Sequence, residues 1–185
     1  TVYSLNYAGE ELWRVQNSNS TFQDMTPLEF VKSGVGNCGS WPDMLLVGWS
    51  DGLFQAINAD NGAIVWQHQT EVNSWGITGS LLVEDESVTI PTRRGVDKLC
   101  LDGSMGFSYE TGLGWRNGVT LAGESYWVGD EDGNLWSVTN QGATKYFIAS
   151  GKIRHAPVTL PNENLVIHLQ TDGGSTCLLY TSDAA

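Results

Sequence analysis

A glycine followed four residues later by a large aromatic recurs along this chain. The pairs are Gly9 and Trp13, Gly62 and Trp66, Gly103 and Phe107, and Gly142 and Tyr146. Before each glycine runs a short stretch of alternating polarity, over residues 2–6, 53–58, 96–102 and 135–140. A second marker follows apolar runs: Asp51-Gly52, Asp132-Gly133 and Asp172-Gly173, with Arg94-Gly95 in the equivalent place between the first two. Asp132 and Asp172 are 40 residues apart, and Asp51 and Asp132 are 81 apart, which is two such periods.

Alternation with a period of two makes half-buried strands, and glycine turns between them make hairpins. The stretch 53–66 shows both, with Asn61-Gly62 at its bend. A repeat near 40 residues built only from such strands predicts one four-stranded sheet per repeat, stacked radially about a channel. The fold class is therefore all-β: a partial β-propeller of about four four-stranded blades. A lone sheet of this kind cannot cover both of its faces. Trp13, Trp66, Phe107 and Tyr146 are accordingly expected to wedge between blades, each burying on the order of 150–250 Å². Their partner glycines supply the positive φ of tight turns. Trp49 precedes the Asp-Gly turn, and its counterpart one double period on is Asp130. Its loss is expected to be milder than that of Trp66.

One interval is too long. Gly9 and Gly62 are 53 residues apart, and the surplus falls at about residues 18–43. Within it Thr26-Pro27-Leu28-Glu29 carries a helix-start signature, with a Thr cap, Pro at the first helical position and Glu three after the cap. One short helix over residues 27–33 is expected in this inter-blade insertion.

Composition narrows the partners. Nine basic against 21 acidic residues give a net charge of −12, which repels nucleic acid and anionic membrane surfaces at long range. No apolar run reaches the roughly 18 residues of a membrane helix, so no membrane insertion is expected within this segment. Cys38, Cys100 and Cys177 are far apart. They form no zinc pattern and leave room for one disulfide, whose pairing the sequence leaves open.

From Ala56 to Trp66 the sequence resembles the repeat of quinoprotein-like (pyrroloquinoline-quinone-type) propellers, Ala-x-Asp-x-x-Thr-Gly-x-x-x-Trp. Ala56, Gly62 and Trp66 match, while Asn58 and Asn61 replace the Asp and Thr. Residues 47–52 and 128–133 are similar to the strand and turn that precede this motif, and residues 153–158 to the family's innermost strand. The resemblance implies a ring of seven or eight blades, of which this chain would hold a stretch that starts and stops inside repeats. Residues 1–179 are read as that stretch. Residues 180–185 resemble translated adaptor read-through and are expected to be non-native. Such an open array is expected to be marginal alone and to associate through its terminal blades.

Catalytic and metal motifs are weak. Gly34-x-Gly36-x-x-Gly39 is a literal dinucleotide fingerprint, but Ser40-Trp41-Pro42 follows where a helix is required. Asp130-x-Asp132-x-Asn134 imitates the start of a calcium loop, yet Leu135 replaces its glycine and Gln141 its closing Glu. His68, His155 and His168 share no ligand spacing, and Arg93-Arg94 is a lone basic pair that could hold an anion. The chain is therefore read as a non-catalytic scaffold or protein-binding module, with no catalytic, cofactor or metal residues and with no affinity for the quinone or calcium. Its partners would be other proteins or the remaining blades of its own ring. This matches the family's non-enzymatic members, such as the outer-membrane barrel-assembly lipoprotein, and the resemblance implies a periplasmic or cell-surface location. Two alternatives are a fragment of a quinone-dependent alcohol or sugar dehydrogenase and the sensor propeller of a larger protein.

Overall fold

Strands account for all the regular structure of residues 1–20, 24–70, 75–162, 164–171 and 174–180, the parts that the computed structural model describes. The first sheet pairs β1 (Val2–Leu5) with β2 (Glu11–Val15). Strand β3 (Glu29–Val31) opens the second sheet. A separate hairpin follows, β4 (Gly34–Gly36) with β5 (Gly39–Trp41), before β6 (Met44–Gly48), β7 (Leu53–Asn58) and β8 (Ile64–Gln69) complete that sheet in the order β3-β6-β7-β8. The third sheet is β9 (Leu82–Val83), β10 (Ser87–Pro91), β11 (Gly95–Cys100) and β12 (Met105–Glu110). The fourth is β13 (Val119–Ala122), β14 (Ser125–Gly129), β15 (Asn134–Thr139) and β16 (Gly142–Ile148). The last is β17 (Val158–Thr159), β18 (Leu165–Thr171) and β19 (Gly174–Tyr180). All pairings are antiparallel, and apart from β3 with β6, which the β4–β5 hairpin separates in the chain, each joins chain neighbours, as in propeller blades.

The core lies in the seams between blades. Met44, Leu46 and Phe54 of the second blade pack with Val88, Ile90 and Leu99 of the third. Val96 of the third meets Val119, Val128 and Val138 of the fourth. Leu135 of the fourth meets Leu165, Ile167 and Leu169 of the last. Val2 of the first meets Val47, Trp49 and Ile57 of the second. Alternation explains this distribution. On β6, Met44 and Leu46 face one seam while Leu45 and Val47 face the other, so inner strands are apolar on both faces.

The expected helix over residues 27–33 is not there; Glu29, Phe30 and Val31 form β3 and pair with Leu46, Leu45 and Met44. Thr26, read as a cap, instead binds the second blade. Its hydroxyl accepts from the Gly48 N–H at 2.9 Å, and its own N–H donates to the Gly48 carbonyl at 3.0 Å. A cap is a local preference of about 1 kcal/mol, and strand pairing together with burial of Val31 outweighs it. The true excursion is the β4–β5 hairpin, whose tip crosses to the third blade. There a Cys38–Cys100 disulfide ties it down, and the Asn37 N–H donates to Glu86 Oε2 at 2.8 Å. The fingerprint-like glycines 34, 36 and 39 thus belong to a hairpin. Asp172-Gly173, residues 181–185 and the side chain of Cys177 lie outside the described residues.

Candidate functional site

Three of the four repeat aromatics meet the next blade, in two different ways. Trp13 donates its indole N–H to the Ala59 carbonyl at 3.1 Å, and Trp66 donates to the Leu101 carbonyl at 2.9 Å. Each ring lies on the turn glycine of the following blade. A Cβ added to Gly62 would stand 2.9 Å from the Trp13 ring, and one added to Gly103 would stand 2.7 Å from that of Trp66. In the third seam a phenyl ring has no N–H to give. Phe107 packs 5.8 Å from Tyr126, and Tyr109, two residues further on, donates its hydroxyl to the corresponding Asn140 carbonyl at 2.8 Å.

Tyr146 departs from the pattern. It occupies a bulge between the partners of Leu135 and Trp136, stays 51% exposed, and packs edge-on against Trp127 of its own blade. Phe147, the next residue, pairs with Leu135 and enters the fourth seam. Turn length is the cause. Gly9, Gly62 and Gly103 sit inside longer turns with φ of +83°, +73° and +91°, whereas Gly142 already pairs with Thr139 across the two-residue turn Asn140-Gln141. The bulge therefore falls two pairs further along β16, and a different residue turns inward.

The opposite end of the blades gathers a different chemistry. It is built from the links between blades and the turns between the two middle strands. These carry Arg93, Arg94, Arg116, Lys152 and Arg154, five of the nine basic residues of an acidic chain. Trp115 is the centre. The Arg154 guanidinium lies 4.2 Å from its ring centroid and that of Arg116 lies 4.9 Å away. Trp75 meets Trp115 edge-to-face at 5.0 Å. Two carboxylates orient the cations: Asp24 accepts from Arg116 Nε at 2.9 Å, and Glu131 accepts from Arg154 Nε and Nη2 at 2.7 and 2.6 Å. The bond to Asp24 raises the Arg116 pKa further.

Trp75, Arg93, Leu113, Gly114, Trp115 and Glu131 line a cavity of about 260 Å³ at this point. Trp75 and Arg116 are also the non-glycine residues with positive φ among those described, at 67° and 53°. Such backbone costs of order 1–3 kcal/mol and persists where the surroundings demand it. Of this cluster the sequence reading singled out Arg93 and Arg94 alone. Trp75, the adjacent pair Trp115-Arg116, and Arg154 lie in three separate loops, and no spacing rule joins them.

The remaining sequence candidates have structural partners. His68 lies 2.9 Å from Asp97, which also accepts from the Ser108 hydroxyl at 2.7 Å, so Ser108 and His68 share a carboxylate rather than a proton. His155 and His168 stack at 5.1 Å. The fully buried Asp130 accepts from the N–H groups of Asp132 and Asn134, the Asn134 amide and the Trp136 indole. Those four donors occupy both carboxylate oxygens, so Asp130 offers no open ligand to a cation. Lys98 contacts the Tyr126 hydroxyl and Glu84. Burial opposes its charge, but these hydrogen bonds win and hold its pKa above 10.5. Burial is the main cause that pushes the Tyr126 phenol above 10.0. Among the described residues no group of three or more His, Cys, Asp or Glu side chains is placed to hold a metal, and no helix is long and apolar enough to cross a membrane.

The sequence matches no family model and no curated protein. Its fold is similar to solved structures. The computationally designed Ika4 protein superposes with a TM-score of 0.60 at 15% identity, over 93% of this chain and 98% of its own. The Pan2 WD40 domain of Neurospora crassa gives 0.57 at 12% identity over 73% of this chain, which spans 42% of that one. BamB from Moraxella catarrhalis gives 0.47 at 16% identity over 97% of this chain and 66% of its own, too loose a superposition to weigh. At such identities the likeness concerns the fold alone. The chain has the β-propeller fold.

Proposed function

We propose that this chain is a non-catalytic β-propeller binding module of the quinoprotein-like repeat type, and that it engages a protein partner through the Trp75–Trp115–arginine face. One observation carries the reading: among the described residues both left-handed non-glycine positions, Trp75 and Arg116, fall at the arginine-flanked Trp115 cavity. Tryptophan and arginine are the residue types that dominate binding energy at protein interfaces. Held by Asp24 and Glu131, these side chains lose little further freedom on binding.

The repeat anchors serve this module indirectly, with Trp13, Trp66 and Phe107 locking blade to blade so that loops from different blades keep their register. Tyr3, Leu5, Tyr7 and Leu12 are all more than half exposed on and beside the first sheet. That apolar surface supports cover by further blades or by a partner. The Cys38–Cys100 disulfide supports a periplasmic or cell-surface setting, because such bonds persist in oxidising compartments. Among the described residues the carboxylate of the calcium-loop candidate Asp130 is closed by its own donors, which supports a module that works without a calcium-bound quinone.

The test is a photo-crosslinking residue at Leu113, which is exposed beside the cavity, in the full chain within its native host. A discrete adduct should form there and disappear with Trp75→Ala, while the same probe at Val35 on the far end gives none. Equal adducts at both positions would overturn the assignment.

A further inference from the structure

The seams between blades are not equally filled, and the difference leaves a site. In the second seam the Trp66 indole occupies the space between β8 and the turn Leu101–Gly103, touching Gly103 and hydrogen-bonded to Leu101. At the matching place in the third seam two things shrink together. The aromatic is Phe107, and the facing turn is the two-residue Asn140-Gln141. A cleft of about 620 Å³ results, the size of a ligand pocket, lined by Phe107, Tyr126, Lys98, Glu124, Asn140 and Gln141 among others.

We propose that this cleft binds an indole-sized planar aromatic group bearing polar substituents. The argument is one of repeat symmetry: Phe107 keeps the strand register that elsewhere seats an indole against a turn, Tyr109 takes over only the hydrogen bond to the turn carbonyl, and the indole itself is missing. The half-buried Phe107 ring offers an apolar wall to a third ring, backed by the buried Tyr126 ring 5.8 Å away and tilted by 57°. The Lys98 ammonium has three N–H donors, of which Tyr126 and Glu84 take two, so one remains for a ligand acceptor. The amides of Asn140 and Gln141 and the carboxylate of Glu124 border the cleft and can address a donor. This site lies at the opposite end of the blades from the arginine face and stands independently of the function proposed for that face.

Calorimetry and ligand-observed NMR on the full chain, with indole and N-acetyltryptophanamide as probes, test the assignment. Saturable binding with a Kd of about 1 mM or tighter is expected. Phe107→Trp supplies the missing indole from within and should weaken binding at least about tenfold while leaving the melting midpoint unchanged or raised. Should that variant fail to fold, Gln141→Trp blocks the same cleft from the exposed turn. Tighter binding of the amide than of indole identifies a peptide side chain as the source, and the reverse a free small molecule. Absence of saturation, equal affinity for cyclohexanol, or unaltered binding by a folded blocking variant overturns the proposal.

Discussion

Removing the Trp66 ring probes how the blades hold together. A fully buried Trp→Ala change costs about 3–5 kcal/mol; Trp66 is half-buried, so the lower part of that range applies. Loss of its bond to the Leu101 carbonyl adds about 1 kcal/mol. The expected total of about 3–4 kcal/mol is a large share of the ~5–15 kcal/mol that stabilises a domain. Gly103→Ala makes the prediction sharper. At φ +91° an alanine costs roughly 1–2 kcal/mol by backbone strain alone, and its Cβ would also press to 2.7 Å from the indole. In a Trp66→Ala background that second cost disappears and the first stays. The double variant should therefore be more stable than the sum of the singles predicts, by about 1–2 kcal/mol. Urea melts at constant m measure all four corners of the cycle. Additivity within about 0.5 kcal/mol would refute the contact, and Trp66→Ala melting like its parent would refute the wedge. Trp49 is the comparison. The sequence reading ranks its loss as milder, but the structure reverses this: Trp49 is 3% exposed in the first seam and donates to Gln55 Oε1 at 3.0 Å. Trp49→Ala should cost at least as much as Trp66→Ala.

Two further predictions concern the cross-links beyond the wedges. The Cys38–Cys100 bridge closes a separation of 62 residues, for which chain entropy gives about 4 kcal/mol. The double Cys→Ser variant should lower the urea midpoint accordingly and free the 34–41 hairpin for hydrogen exchange; an unchanged midpoint counts against a tethering role. The folded-state pKa values of Lys98 and Tyr126 are both raised, so their contribution is complete below their ordinary values of 10.5 and 10.0 and is lost as pH climbs through the folded ones. Thermal melts above pH 10 should therefore fall more steeply for the parent than for Tyr126→Phe, and parallel curves would refute the coupling.

Much of the architecture was legible without coordinates, for a physical reason. A strand's alternation and a turn's glycine are local signals, and a repeat multiplies them. Strand β7 fell on the stretch that the sequence marked, and Trp13 and Trp66 lie where a fixed offset from a turn glycine put them. The offset failed at Tyr146, because inward facing depends on where the bulge falls, and that depends on turn length. The helix expected over residues 27–33 failed likewise, because cap preferences are weak beside a blade that lacks its first strand. The candidate face was the least legible part. Trp75, the Trp115-Arg116 pair and Arg154 are distant in sequence and meet only because every link between blades returns to the same end. Sequence by itself determined strands, period and seams, since neighbours along the chain decide those. Tertiary structure decided which loops converge and which seam is left underfilled, since both depend on the stacking of whole blades.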